Sequence, residues 1–251
     1  MQTARPPFKA PDIFLENVYF SFPGTELFSG LNFRIRGGQW TCLLGPSGCG
    51  KSTLLRLISG SLRDGFSGTI RFDDKTQTRG QTAWMAQKDL LLPWLTVRDN
   101  VLLGNRLRGT LSPERLQTAI SLLAAVGLSH CAKDLPETLS GGMRQRAALL
   151  RTLMEERPVI LMDEPFSALD ALTRMKLQDL AAQLVRGATV ILVTHDPLEA
   201  LRLGHRIHVI SGSPARLSSG MLPPGTPPRN VDDPAIAGLH AALLKRLMGT
   251  A

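Results

Sequence analysis

The chain has 251 residues, of which 43% are hydrophobic and 20% charged, which is ordinary for a globular protein and enough for a substantial core. No stretch approaches the roughly 18 consecutive apolar residues of a membrane-spanning helix, and the first residues lack the apolar region of a secretory signal. Cys42, Cys49 and Cys131 cannot form a fully paired framework and lack metal-ligand spacing, so reduced thiols are predicted. We therefore expect a cytoplasmic protein that reaches a membrane only through a partner.

The net charge of +8 admits three interpretations. A basic protein can bind nucleic acid, or it can be attracted to the anionic cytoplasmic leaflet, at about 1 kcal/mol for each basic residue near the surface. The basic residues are scattered, however, and never run longer than two. This scatter favours an ordinary solvated surface, although charge by itself does not choose among the three.

The first third of the chain is predicted to be rich in strands. Apolar residues at strand-like spacing occupy residues 12–44, and the last of these strands, Trp40–Leu44, ends at a glycine. A helix is predicted over Lys51–Ser59, because one of its faces is apolar, and further strands over Gly68–Phe72 and Thr82–Ala86.

Residues 96–155 are predicted to be mostly helical, with Thr96 and Ser112 as N-caps. They interrupt the succession of strands, which indicates an inserted subdomain. Strands return at Val159–Met162 and Thr189–Val193, two continuous apolar runs typical of the covered middle of a parallel sheet.

The remaining helices are predicted at residues 170–186 and 197–203, alternating with those strands. From Ser211 the chain contains closely spaced prolines, which exclude regular structure, before a short apolar helix over Ala235–Leu247. Strands alternating with helices indicate an α/β fold.

A phosphate-binding loop follows the strand that ends at Leu44. The segment fits G-x-x-x-x-G-K-[ST] in full, lies between a predicted strand and a predicted helix, and gives the candidate nucleotide-binding residues Gly45, Pro46, Ser47, Gly48, Cys49, Gly50, Lys51, Ser52 and Thr53. Its glycines let backbone N–H groups surround phosphate oxygens, and the helix N-terminus adds partial positive charge. Lys51 is expected to reach the β- and γ-phosphates, and Ser52 to bind Mg²⁺.

Two carboxylates follow the apolar strand at Val159–Met162. The carboxyl end of such a strand opens into the usual ligand crevice of an α/β sheet. Asp163 is therefore a candidate Mg²⁺ ligand, and Glu164 a candidate general base for an attacking water. His195 and Gln87 also follow predicted strands, but a lone histidine is more often structural.

A second anion-binding helix start is predicted at Ser140. This residue is a good N-cap, and Gly141 and Gly142 leave the first N–H groups of the helix bare. The run from Leu139 to Arg146, LSGGMRQR, is more specific than an ordinary capped helix requires.

At this point the sequence resembles the ATP-binding cassette (ABC) family over nearly its whole length. Gly45–Ser52 is similar to the Walker A loop, Val159–Glu164 to the Walker B strand and Leu139–Arg146 to the family signature. Ser167–Asp170 resembles the D-loop, Gln87 the Q-loop glutamine and His195 the switch histidine. Phe22 falls where the family stacks an aromatic ring on adenine, with Tyr19 and Phe20 nearby.

The resemblance implies a P-loop NTPase core with a mainly parallel sheet, an N-terminal antiparallel β-subdomain and an inserted helical subdomain at about residues 90–155. We expect one ABC ATPase domain over residues 12–240 and a C-terminal tail over 241–251. The resemblance further implies a homodimer that encloses two ATP molecules, each between the Walker A loop of one chain and the signature of the other. In that arrangement Glu164 is the catalytic base, with Lys51, Gln87 and His195 as further catalytic residues. The implied Mg²⁺ ligands are Ser52, Gln87 and Asp163.

The segment from Gln87 to Val101 resembles the nitrate, sulfonate and taurine branch of bacterial importers, which includes relatives handling thiamine precursors. Leu91, Leu92, Pro93 and Trp94 would form an apolar dock for a helix of a transmembrane permease, although such residues also form subdomain cores. We therefore expect a peripheral ATPase on the cytoplasmic face of the inner membrane, with permease subunits and, indirectly, a solute-binding protein as partners and no nucleic acid.

The alternative is a soluble ABC ATPase that acts on nucleic acid. Such proteins have a long coiled-coil insertion or two fused cassettes, and neither is visible in this sequence. A P-loop kinase or GTPase does not account for the signature.

Overall fold

The computed structural model describes residues 10–73 and 80–248. The chain divides into two compact units. The first comprises residues 1–82, 157–163 and 186–251, and the second comprises residues 83–156 and 164–185.

An antiparallel sheet of three strands lies in the first unit. Its strands stand in the order β2-β1-β4, with β1 (Ile13–Phe22) paired antiparallel to both β2 (Thr25–Ile35) and β4 (Phe66–Phe72). Ile13, Leu15 and Val18 on β1 are fully or almost fully buried, so one face of the sheet packs on the core. The predicted N-terminal antiparallel subdomain is confirmed.

The second sheet carries the parallel strands. Within the first unit its order is β6-β7-β3-β8-β9, and the strands are β3 (Trp40–Leu44), β6 (Val159–Asp163), β7 (Thr189–Thr194), β8 (Arg206–Ser211) and β9 (Arg216–Leu217). β3 runs parallel to β7 and β8, β6 runs parallel to β7, and the short β9 is antiparallel to β8. Every residue of β3, β6 and β7 is buried, which explains their continuous apolar runs.

Strand β8 was not predicted from the sequence. Its side chains include Arg206 and His208 among apolar residues, so it lacks the unbroken apolar run of its neighbours. His208 is nevertheless buried against Phe33, with ring centroids 4.8 Å apart, and burial lowers the pKa of its imidazole. A further strand, β5 (Thr82–Met85), begins at the last residue of the first segment of this unit.

Over the described residues of the first unit there are three helices, namely α1 (Lys51–Ser59), α7 (Pro197–Leu203) and α8 (Pro234–Met248). α1 begins after Gly50 and ends at Gly60, both of which have positive φ angles (98° and 75°) that favour glycine. Asp196 caps α7, and its carboxylate accepts hydrogen bonds from the backbone N–H groups of Leu198 and Glu199. α8 packs on α7, and its bounds include residues 241–248.

The second unit is mainly helical. Its helices are α2 (Val97–Val101), α3 (Leu103–Leu107), α4 (Pro113–Ala125), α5 (Gly141–Leu153) and α6 (Ala171–Leu184), with 3₁₀ turns at Ser129–Cys131 and Pro136–Thr138. The predicted caps are confirmed: the Thr96 hydroxyl accepts from Asp99 N at 3.1 Å, and the Ser112 hydroxyl from Arg115 N at 3.3 Å. α2 and α4 both pack against α5. No helix of the described ranges is long and apolar enough to cross a membrane.

A buried arginine fastens the proline-rich segment to the C-terminal end of α7. The Arg229 side chain is 6% exposed and donates hydrogen bonds to five carbonyl oxygens, those of Leu201, Gly204, Pro223, Pro224 and Gly225. The first two carbonyls belong to the end of α7, where a cation also complements the helix dipole. Burial lowers the pKa of Arg229, so the bonds must offset the desolvation of this charge.

We predict that Arg229→Lys destabilises the fold by about 2 kcal/mol. A lysine carries its donors on a single nitrogen, so it cannot reach all the carbonyl oxygens that the three guanidinium nitrogens bind. Several of these carbonyl groups would be left buried without a hydrogen bond. Urea unfolding measures the loss as a lower midpoint at unchanged m-value. Arg246→Lys, at an exposed position on α8, is the matched control, and an equal midpoint for the two variants would contradict the prediction.

Candidate functional site

The phosphate loop lies in the first unit, between β3 and α1. Gly48 and Gly50 have positive φ angles of 82° and 98°, and Pro46, Ser47 and Gly48 are exposed. A side chain could not be added at Gly45, because a Cβ atom there would lie 2.3 Å from the carbonyl oxygen of Ile210. The loop is therefore tightly packed at Gly45 and exposed at residues 46–48. This arrangement fits a ligand with phosphate oxygens.

Lys51 is the first residue of α1 and is only 6% exposed. Its ammonium donates hydrogen bonds to the carbonyl oxygens of Gly45 at 2.8 Å and Pro46 at 2.7 Å, and it lies 3.7 Å from the Cys49 sulfur. The backbone carbonyl groups of the loop thus hold the buried ammonium of Lys51. The next residue, Ser52, presents its hydroxyl on the exposed side of the helix start.

Further predicted site residues of the first unit lie at the carboxyl ends of the parallel strands. β3 leads into Gly45, β6 ends at the buried Asp163, and β7 is followed by the exposed His195. Asp163 and Ser52 offer carboxylate and hydroxyl oxygens, which are the hard ligands that Mg²⁺ prefers. These residues therefore fit a magnesium ion bound beside phosphate.

Glu164 follows Asp163 directly in the chain and begins the second segment of the second unit. Its backbone is left-handed, with φ of 51°, a conformation that costs a non-glycine residue about 1–3 kcal/mol and persists where the surroundings enforce it. Within this unit, the Gln87 amide nitrogen lies 3.4 Å from the Glu164 carboxylate oxygen Oε2. Two residues predicted to act in catalysis are therefore side by side.

The second predicted anion site is the start of α5. The Ser140 hydroxyl accepts a hydrogen bond from Met143 N at 3.3 Å, as predicted for an N-cap. Ser140 and Gly141 are exposed, so the bare N–H groups of this helix start face solvent. At Gly142 a Cβ atom would approach the carbonyl oxygen of Ala168 to 3.3 Å, which leaves little room for a side chain.

Sequence reasoning missed Gln145, one turn further along α5. Its side chain is 7% exposed, and its amide binds the Glu164 carbonyl, the Ser167 hydroxyl and the backbone N–H of Ala168. A signal was available, because Gln145 comes three residues after Gly142 and four before the buried Leu149, on the buried face of the helix. A glutamine on such a face requires polar partners.

The aromatic candidates in β1 are now distinguishable. Phe20 is 1% exposed and belongs to the core, whereas Phe22 and Tyr19 are 47% and 45% exposed. Phe22 packs edge-on against Phe20, with ring centroids 4.9 Å apart. Two accessible rings therefore remain, of which Phe22 was the predicted one.

The predicted apolar dock is only partly at the surface. Trp94 and Leu90 are 71% and 59% exposed, whereas Leu91 is buried and belongs to the interior of the second unit. Pro93 is exposed and Leu92 half-buried, and the backbone of Leu90 is left-handed, with φ of 47°. An accessible apolar surface therefore exists at Leu90, Pro93 and Trp94.

Comparisons with known proteins identify the family of this chain. The sequence profile of the family described as ABC transporter matches residues 28–167. An uncharacterized ABC transporter ATP-binding protein of Haemophilus influenzae is 44% identical over 240 residues, covering 94% of this chain and 98% of the relative. The aliphatic sulfonates import ATP-binding protein SsuB 1 of Pseudomonas syringae pv. syringae is 42% identical over 232 residues, covering 90% and 92%.

Solved structures extend the similarity to the fold. An ATP-binding cassette solved as a dimer in a post-hydrolysis state with ADP and Pi matches with a TM-score of 0.75 and 31% identity, over 85% of this chain and all of the other. A dimeric structure described as a bacterial ABC transporter cassette matches equally well, at 30% identity. The predicted P-loop NTPase fold is thereby confirmed. The chain belongs to the ABC transporter family, as an ATP-binding subunit with ATPase activity.

Proposed function

We propose that this chain powers an importer for a small solute, of the nitrate, sulfonate and taurine type or the thiamine-precursor type, through separate permease subunits. The observation that carries the proposal is that exposed residues, glycine among them, lie both in the loop before α1 and at the start of α5, and a helix N-terminus favours a bound anion. Aliphatic sulfonate import proteins among the relatives, at 42% and 41% identity, support the choice of substrate class.

Binding of ATP is assigned first to the phosphate loop. The residues from Gly45 to Thr53 surround the β- and γ-phosphates, Lys51 turns its ammonium from the loop carbonyls to phosphate oxygens, and Phe22 stacks on adenine. Ser52, Asp163 and Gln87 hold Mg²⁺, which when bound offsets phosphate charge and fixes the orientation of the triphosphate.

Hydrolysis is assigned to groups at the strand ends. Glu164 takes a proton from the attacking water, which contributes roughly a 10²- to 10⁴-fold rate increase. Gln87 orients the water from its position beside the Glu164 carboxylate, and His195 braces the γ-phosphate. Glu164 and His195 follow the fully buried strands β6 and β7, which give them a rigid support, whereas Gln87 follows the partly buried β5.

The second anion site implies a second chain. Ser140, Gly141 and Gly142 of one copy bind the γ-phosphate of ATP held by the phosphate loop of another copy, which makes the working form a homodimer with two nucleotides. Binding of ATP closes this dimer and hydrolysis reopens it.

The partners follow from the remaining surface. Leu90, Pro93 and Trp94 receive a helix of the permease, which places the chain on the cytoplasmic face of the inner membrane, and a solute-binding protein acts indirectly through that permease. We treat residues 12–240 as the ABC ATPase domain, with the helical subdomain at about 90–155.

A thiol in the phosphate loop tests the position of the nucleotide. Because Cys49 lies beside Lys51, we predict that saturating Mg-ATP slows its alkylation by N-ethylmaleimide by about tenfold or more, as mass action requires of an occluded site. Peptide mass spectrometry of each cysteine measures the rates. Cys49 keeps 9% exposure, whereas Cys42 is fully buried and burial raises the pKa of its thiol, so Cys42 is the internal control. Equal rates at Cys49 with and without ATP would contradict the placement.

We predict that Glu164→Gln traps an ATP-bound dimer. The amide cannot accept the proton of the attacking water, so hydrolysis falls by roughly 10²- to 10⁴-fold while both anion sites stay intact. Size-exclusion chromatography with light scattering in Mg-ATP measures the molecular mass. Glu26→Gln, at an exposed position on β2, is the control and should remain monomeric. If Glu164→Gln were monomeric in saturating Mg-ATP, the proposed mechanism would be wrong.

The docking surface gives a separate prediction. Trp94→Ala removes the largest exposed apolar side chain of this surface, so we expect about a fivefold or greater loss of co-purifying permease, as for an interface hot spot. The dissociation constant for ATP should stay within about twofold, since the change concerns only the interface. Leu107→Ala, which removes another highly exposed side chain of the second unit, is the control. Equal loss of ATP and permease binding would contradict the docking role of Trp94.

A further inference from the structure

The backbone of Glu164 has to be held in place. Its left-handed conformation is unfavourable for a residue with a Cβ atom, and such residues persist where neighbouring groups over-determine them. A glutamate at this point relaxes toward an ordinary conformation, and its carboxylate turns with the backbone, unless another element prevents it.

One side chain from another helix supplies that restraint. The Gln145 amide nitrogen donates a hydrogen bond to the Glu164 carbonyl oxygen at 3.1 Å. Ser167 also binds this carbonyl, through its hydroxyl at 3.1 Å and its backbone N–H at 3.4 Å. Ser167 belongs to the same turn as Glu164, however, and moves with it, whereas Gln145 is anchored on α5.

The same amide also holds the far end of the turn. Gln145 Oε1 accepts a hydrogen bond from Ala168 N at 2.9 Å, and Gln145 Nε2 lies 3.3 Å from the Ser167 hydroxyl. The turn from Glu164 to Ala168 is therefore bracketed by a donor at its first residue and an acceptor at its last. A primary amide provides both functions at this spacing, while a carboxylate provides only acceptors.

The bracket also joins this turn to the start of α5. Gln145 lies one turn beyond the exposed N-terminus at Ser140 and Gly141, and Gly142 packs closely on the carbonyl of Ala168. A buried amide that makes three hydrogen bonds has little freedom to move. Movement at the helix start and movement at Glu164 are thus linked through one side chain.

We infer that Gln145 is a positioning residue for hydrolysis, which locks the strained backbone of Glu164 and ties it to the anion-binding start of α5. The inference rests on the proposed role of Glu164 as general base. It adds a buried residue that acts through the orientation of the base.

Gln145→Glu tests this inference with an isosteric change. The carboxylate keeps the acceptor for Ala168 N but loses the donor to the Glu164 carbonyl and faces that oxygen with a negative charge. We expect the kcat for ATP hydrolysis to fall about 10- to 100-fold, as for a misplaced catalytic group, while the KM for ATP stays within about twofold. A purely structural role would lower the thermal midpoint without this separation of kcat from KM.

Gln183→Glu makes the same chemical change at an exposed position on α6 and should leave kcat unchanged. Should Gln145→Glu aggregate, Gln145→Asn gives the same readout, because its amide is one methylene too short to reach both ends of the turn. A kcat equal to that of the unmodified chain in a folded Gln145 variant would overturn the inference.

A double-mutant cycle separates this inference from the role of Glu164. If Gln145 acts through the base, Gln145→Glu adds no further loss of kcat to Glu164→Gln, and a fully additive loss overturns the inference. Undiminished hydrolysis by Glu164→Gln alone would instead refute the proposed function. The two failures are therefore distinguishable.

Discussion

The burial of three parallel strands is the constraint on which the rest of the structure depends. β3, β6 and β7 are covered along their whole lengths, so their backbones pair fully and their positions are rigid. Apart from Thr41, polar residues lie only at the first or last position of these strands, and the carboxyl ends of the strands lead to Gly45, Asp163 and His195. A site that must hold a triphosphate within tenths of an ångström requires such a support, since positioning contributes much of the rate of phosphoryl transfer.

Motifs with a local mechanism could be predicted from the sequence. The loop from Gly45 to Ser52 and the caps at Ser112 and Ser140 depend on residues close in sequence, so their spacing suffices. Strands β6 and β7 could also be predicted, because unbroken apolar runs indicate a strand that is buried on both faces. The agreement follows from physical locality and from the strength of the apolar signal.

Features that depend on distant partners could not be predicted in the same way. Arg229 is an ordinary arginine in a proline-rich segment until five carbonyl groups surround it. Leu91 and Trp94 are similar in sequence context, but only Trp94 is exposed. β8 carries His208 inside the core, which hides its strand pattern. In each case the deciding contact joins residues that sequence spacing does not relate, so tertiary structure overrides the local pattern.

The left-handed backbone of Glu164 connects these two classes. A glutamate after an apolar strand predicts a catalytic carboxylate, but no local pattern predicts the conformation that aims it. That conformation is held by Gln145, from the helix whose first turn is the second predicted anion site. Because the backbone of this candidate base is strained, contacts from elsewhere in the fold must stabilise its conformation. Under the proposed function, the start of α5 meets the nucleotide held by a second copy. Because this helix start and the base share one buried amide, the base is, on this proposal, sensitive to dimer closure.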